Sequence, residues 1–160
     1  MPRVSYVNGK YLPHADAMVN VEDRGYQLVD GVYEVIGIFN GHLIDKAAHF
    51  QRLQRSLKEL CIELPVNIAA LSFIIDETIR KNFLGHGKVY LQITRGVAPR
   101  DHAFPEKSKS TLVVTVSHMP WPSRSDAKQG YSVVTGPDLR WQRCDIKSIS
   151  LLPNVLAKQI

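Results

Sequence analysis

Four short stretches of this 160-residue chain carry side chains capable of chemistry. Lys147 lies in CDIKSISLL, among Ile146, Ile149 and Leu151. Apolar surroundings disfavour an ammonium ion by desolvation. A neutral amine is a nucleophile and condenses with an aldehyde to a Schiff base. Spacing alone favours the plainer alternative, a solvated strand lysine, because lysine is mostly exposed. In RGVAPRDHAFP, Arg100 and His102 stand two apart, so an extended loop points them the same way. A guanidinium forks onto a carboxylate, and a histidine adds a second donor. The alternative is two polar residues in an exposed proline-rich loop. Arg95, just before Gly96, reads as the anchor of a turn at a strand end.

Tyr33 and Glu34, in DRGYQLVDGVYEV, open a strand and face opposite sides of it. The ordinary reading of Tyr33 is a half-buried ring with a hydrogen-bonded hydroxyl. Arg52, in HFQRLQRS, lies on a helix, where it is either an exposed charge or a clamp for a phosphate. His49 and His102 have no partners at metal-ligand spacing, so no metal site is expected.

The elements that must position these residues follow from turns and periodicity. SYVNGKYL is an Asn-Gly turn between two β-prone runs, a hairpin signal. Val32 to Phe39 is a second run, Asn40-Gly41 a second turn, and His42 to Ile44 the returning strand. Asp45 is placed to cap a helix, in which Phe50, Leu53, Leu57, Leu60 and Cys61 form an apolar stripe. Asn67 is a second cap, followed by the stripe Ile68, Leu71, Ile75, Thr78, Ile79. The period then becomes alternating: KVYLQITR puts Val89, Leu91 and Ile93 on one face, and TLVVTVSH reads as a central strand. SHMPWPSRSDAKQG is a linker by its prolines and polarity. YSVVTG opens a new strand, and RCDIKSIS is a candidate for another. Strands, two helices, then strands predict an α+β fold. NVLAKQI starts a helix after Pro153 with no C-terminal cap, and the strands after the linker are too few to bury themselves. The expectation is a second domain beginning near residue 121 and incomplete at residue 160.

Apolar residues at 44% and charged residues at 22% suit an ordinary globular chain. The formal charge is +5, but the basic residues are spread along the sequence, which argues against nucleic acid. No apolar run approaches the roughly 20 residues that span a bilayer, and MPRVSYVNGK lacks a signal-peptide core, so no membrane partner is expected. Cys61 and Cys144 read as reduced thiols, which points to a cytoplasmic setting.

EDRGYQLVDGVYEV, HFQRLQRS, VYLQITRGVAPRDHAFP and RWQRCDIKSISLLPNVLAKQ occur in order over nearly the whole chain. Together they resemble the D-amino-acid transaminase branch of the class IV, fold-type IV pyridoxal-phosphate enzymes. The last segment is the most specific. The resemblance implies the N-terminal two-layer α/β domain over 1–120, a linker over 121–130, and the first strands and helix of an incomplete cofactor-binding domain over 131–160. It implies that Lys147 binds pyridoxal 5'-phosphate covalently and carries the substrate proton. Arg52 matches an arginine on the cofactor phosphate. Tyr33, Arg100 and His102 match a trap for the substrate carboxylate, with Arg100 and His102 reaching in from the neighbouring subunit of a homodimer. Glu34 matches a glutamate near the cofactor, with no role assigned. The implied reaction moves an amino group from a D-amino acid to a 2-oxo acid.

Members of that family continue past LAKQ, and the further part supplies the carboxylate for the pyridine nitrogen and most phosphate-binding loops. Aminodeoxychorismate lyase and branched-chain aminotransferase are relatives to be distinguished, and the carboxylate pair Arg100/His102 favours transamination. A non-catalytic domain and a basic RNA-binding module are the readings from other classes.

Overall fold

The structure, a computed structural model, describes residues 3–159. Six strands form one antiparallel sheet: β1 (Val4–Val7), β2 (Lys10–Pro13), β3 (Gly31–Phe39), β4 (His42–Leu43), β5 (Gly87–Thr94) and β6 (Thr111–His118), in the order β2-β1-β6-β5-β3-β4. Both sequence-legible hairpins are present. Asn8-Gly9 and Asn40-Gly41 turn with positive φ at both residues, which matches the right-handed strand twist. β6 is interior, paired on one side with β1 and on the other with β5.

Two helices, α2 (Lys46–Glu59) and α3 (Ile68–Lys81), cover one face of the sheet. Their stripes, Phe50, Leu53 and Leu57 from α2 with Leu71, Ile75 and Ile79 from α3, meet Ile36, Ile38, Val89, Leu91, Ile93 and Val114 in one core. Each such side chain contributes about 1.5–3 kcal/mol on full burial. The fold is therefore a two-layer α+β arrangement, as the sequence predicts. Asn67 caps α3 by accepting from the Ala70 N–H at 2.8 Å. Asp45 does not cap α2 with its side chain. It sits in the left-handed region (φ 50°) because the chain turns sharply there, and a capping side chain needs extended backbone to reach the first-turn amides.

A short helix that periodicity does not reveal, α1 (Arg24–Leu28), is capped by Asp23, whose carboxylate accepts from Gly25 N–H at 2.8 Å. One turn is too short to show an apolar stripe. Beyond β6, Trp121 packs edge-on against Phe39 and donates to the Ile38 carbonyl at 2.9 Å. The polar stretch that follows contains α4 (Arg124–Gln129), held by a capping box between Ser123 and Asp126.

Two strand expectations change. YSVVTG is not a strand: residues 131–136 are irregular and exposed. β-prone composition makes no strand without a neighbouring edge to receive its amides. RCDIKSIS contributes one bridge, Ser148 to Val32. Around it Tyr33 N–H donates to the Lys147 carbonyl and Ile149 N–H to the Gly31 carbonyl, both at 3.1 Å. This segment therefore lies on the margin of β3 that the two-residue β4 leaves open. α5 (Leu152–Ala157) follows, with Pro153 in its first turn. No helix among the described residues is long and apolar enough to cross a membrane.

Candidate active site

At the open margin of β3 lies a cavity of about 300 Å³. Its lining comes from β3 (Tyr33), α2 (Arg52) and the segment 140–154, including Arg140, Lys147, Ser148 and Ser150. Backbone alternation places Lys147 there. Ile146 is part of the core and Ser148 is paired with the core residue Val32, so Lys147 between them lies on the face of β3 that carries Tyr33. The Ser56 hydroxyl accepts from Lys147 N–H at 3.2 Å, fixing the segment against α2. The Lys147 ammonium lies 4.2 Å from the centroid of the Tyr33 ring, a cation–π contact. Tyr33 in turn stacks on Tyr90 with centroids 5.7 Å apart. The Tyr90 hydroxyl donates to Gln92 at 2.6 Å, and burial pushes that phenol up from its ordinary value.

Glu34 faces the other side of β3 and is fully buried. Its Oε1 accepts from Arg52 Nε at 2.7 Å, and its Oε2 accepts from Arg52 Nη2 at 2.5 Å and from His49 Nδ1 at 2.8 Å. A carboxylate only accepts, so the proton of this contact belongs to His49 Nδ1. His49 and Arg52 are one helical turn apart on α2, which is why both reach the same carboxylate. The hydrogen bond to Glu34 raises the Arg52 pKa despite the opposing effect of burial. Arg52 remains 42% exposed, and its Nη1 has no protein acceptor among the described residues. One edge of the guanidinium is committed to the fold while the other faces the cavity.

Arg100 and His102 are exposed on the loop between β5 and β6, and they do not line the cavity that holds Lys147. The structure thus gathers Lys147, Arg52 and Tyr33 and leaves Arg100 and His102 outside. It adds Arg140 and the Glu34–His49 contact, which the sequence reading did not identify. The signal for His49 was its three-residue step from Arg52.

A second carboxylate cluster supports the β5–β6 loop. Asp30 Oδ2 accepts from Arg24 Nε at 2.8 Å and from Arg95 Nε at 2.7 Å, and its Oδ1 accepts from Arg95 Nη2 at 3.0 Å. Burial alone would push the Asp30 carboxyl up, but the hydrogen bonds from Arg95 and then Arg24 hold it below the ordinary carboxylate value. Gly96, next to Arg95, has φ 98°, and a Cβ there would lie 1.9 Å from the Lys109 carbonyl oxygen, so only glycine fits.

Chemically, the cavity presents two guanidinium groups, one primary amine, serine hydroxyls and an aromatic face. That set suits a small anion with an electrophilic carbon, in a space at the lower end of the roughly 300–1,000 Å³ typical of ligand sites. The family model for class IV amino-transferases matches residues 31–159. A D-alanine aminotransferase of Staphylococcus haemolyticus is 38% identical over 154 residues, covering 96% of this chain and 55% of that one. The chain spans about half the length of the curated relatives it matches. Among solved structures, 4-amino-4-deoxychorismate lyase of Pseudomonas aeruginosa superposes with TM-score 0.73 at 24% identity, covering 97% of this chain and 56% of that one. A T.th. branched-chain amino acid aminotransferase with pyridoxamine 5'-phosphate gives TM-score 0.71 at 17% identity, covering 79% and 43%. With a sheet, a helical layer and a family match that runs from β3 through Lys147, the chain belongs to the class IV aminotransferases.

Proposed function

We propose that these residues form part of a pyridoxal-phosphate-dependent D-amino-acid transaminase, which moves the amino group of a D-amino acid such as D-alanine to a 2-oxo acid such as 2-oxoglutarate. One observation carries the reading: the Lys147 amine and the open edge of Arg52 line a single polar cavity. The likeness to D-alanine aminotransferase supports the choice of substrate class. The activity is proposed for the whole protein that carries this chain. Residues 1–120 would form one domain, 121–130 a linker and 131–160 the start of the cofactor-binding domain.

The residues fit the cofactor. Arg52, and Arg140 across the cavity, would hold its phosphate, and Lys147 would hold its aldehyde carbon covalently. When bound, pyridoxal phosphate supplies an electron sink for the substrate Cα. With the cofactor held there, Lys147 would be the base in reach of the substrate Cα proton and would carry it, on one face, to the former aldehyde carbon. Its backbone, tied to Ser56 and to β3, sets which face that is. Glu34 keeps Arg52 turned toward the cavity and so orients the anion it grips. Tyr33 covers the lysine with its ring. Arg100 and His102 would bind the substrate carboxylate. Their position outside the cavity fits delivery from the neighbouring subunit of a homodimer.

The test is an assay of the intact parent protein with D-alanine and 2-oxoglutarate, followed by chiral analysis of the amino acid consumed. Transamination of L-branched-chain substrates without D-alanine turnover would replace the D-assignment. Conversion of aminodeoxychorismate to pyruvate and 4-aminobenzoate would replace transamination by lyase chemistry.

A further inference from the structure

Arg24, Asp30 and Arg95 take no part in that chemistry, yet they are an unusual group to bury. The side chains of Arg24 and Arg95 are 3% and 6% exposed, and together they set two positive charges against one carboxylate. An unbalanced buried ion cluster is a weak way to stabilise a fold. What it does instead is visible in where the remaining donors go. Arg24 Nη1 donates to the Asp101 carbonyl at 2.6 Å, and Asp101 is the residue between Arg100 and His102. Arg95 donates to the carbonyls of Leu60 and Cys61 at 2.7 and 3.0 Å, which ties the cluster to the end of α2. The Phe104 ring lies on the Arg95 guanidinium, 3.7 Å from its centre. The loop root is held too, since Arg24 N–H donates to the Gly96 carbonyl at 2.9 Å.

We infer that Arg24, Asp30 and Arg95 are positioning residues for the carboxylate-binding loop: they grip the main chain at Asp101 and the ring of Phe104 so that Arg100 and His102 are presented in one conformation. Two attachment points, three residues apart, bracket His102 and leave both binding side chains free. Preorganisation of this kind lowers the ordering cost of binding and therefore acts on substrate affinity. The inference rests on the reading of Arg100 and His102 as the carboxylate-binding pair.

The experiment uses the full-length holoenzyme and two variants. Arg24→Lys keeps a cation for Asp30 but cannot also reach the Asp101 carbonyl. Phe104→Ala removes the stack at a residue that is 60% exposed, where folding is not at risk. Arg24→Lys is expected to raise KM for D-alanine about tenfold with kcat changed by less than about threefold. Amide hydrogen exchange should accelerate across 97–104 and not in β5 or β6. Reaction with an amine that lacks a carboxylate should be unchanged. On an Arg100→Ala, His102→Ala background, Arg24→Lys should raise KM no further. Phe104→Ala should move the same quantities in the same direction, by about threefold in KM. Unchanged KM and unchanged loop exchange in folded Arg24→Lys overturn the inference, as does an equal loss with the carboxylate-free amine. If Arg24→Lys does not fold, Phe104→Ala decides on the same criteria. If Arg100→Ala and His102→Ala themselves leave KM for D-alanine unchanged, the carboxylate-pair reading fails and the positioning role falls with it. If they raise KM and Arg24→Lys does not, the positioning role alone fails.

Discussion

Glu34 and Asp30 are both acids gripped by arginine within the same two-layer fold, but the grips differ in what they leave over. Around Glu34 the carboxylate is sealed and the cation is open: Arg52 keeps an unpaired edge toward a cavity. Around Asp30 the cations are sealed as well, and their spare donors end on main-chain carbonyls. The exposure of the cation therefore separates a group set to receive a ligand from a group set to hold the chain. The first cluster should fail chemically when broken, and the second should fail mechanically.

The largest effect expected is at the open cavity. Lys147→Ala in the whole enzyme should abolish borohydride fixation of the cofactor to the protein. Turnover should drop by at least the roughly 10²–10⁴-fold that proton transfer alone supplies. Its urea midpoint should stay near wild type, because Lys147 is only half-buried. A folded variant that still turns over would remove Lys147 from the chemistry.

Next is Asp30→Asn, which leaves two buried guanidiniums without a counter-charge. Losing one member of a buried ion cluster costs about 3–5 kcal/mol, to be read from denaturant unfolding. A cost below about 1 kcal/mol would mean that water reaches the cluster. The pH dependence has a definite sign. Asp30 is held below its ordinary value of 3.8. Its contribution to stability is complete above that value and is lost as pH falls through the lower folded value. Wild type should therefore show an acid-unfolding limb below about pH 4 that is shallower in Asp30→Asn.

Arg100→Ala should leave the reducible cofactor link intact and lower kcat/KM by about one to two decades, equivalent to a charge-assisted hydrogen bond of roughly 1.5–3 kcal/mol. Retention of kcat/KM would disconnect the loop from the substrate. The smaller stability loss of the two carboxylate clusters belongs to Glu34→Gln. The freed Arg52 is 42% exposed and regains water, but the glutamine amide stays buried with its NH2 against a donor, so the cost should be about 1–3 kcal/mol, below that of Asp30→Asn. Cofactor affinity, measured by dialysis against competing amine, should still fall by about tenfold as Arg52 loses its fixed orientation. A large stability loss here would make the two clusters alike.

The parts of the molecule that repeat with a local period were legible beforehand. The Asn-Gly turns, the stripes of α2 and α3, the central position of β6 and the opposite faces of Tyr33 and Glu34 all follow from steps of two, three or four residues. The Asp30 cluster has no such signature. Arg95 is 65 positions from Asp30 and Asp101 is 77 from Arg24, so only the folded sheet brings them together. The spacing of His49 offers no partner for a metal and no hint of its actual partner, a carboxylate 15 positions earlier on a neighbouring strand. YSVVTG and Asp45 mislead for a shared reason. Composition states a preference, but a strand needs an edge to pair with, and a cap needs the right backbone angle.

The single bridge between Ser148 and Val32 also predicts where evolution can change the length of this protein. The two main-chain hydrogen bonds around it index Lys147 and Ile149 against β3, and side chains alternate by one residue. A residue inserted or lost within 131–140, where the chain is irregular and exposed, is absorbed before that index is reached. The same change between Ile146 and Lys147 turns the lysine toward the helices and an apolar side chain toward the cavity. Homologous chains should accordingly vary in length before Trp141 and keep an invariant count from Ile146 to Ile149.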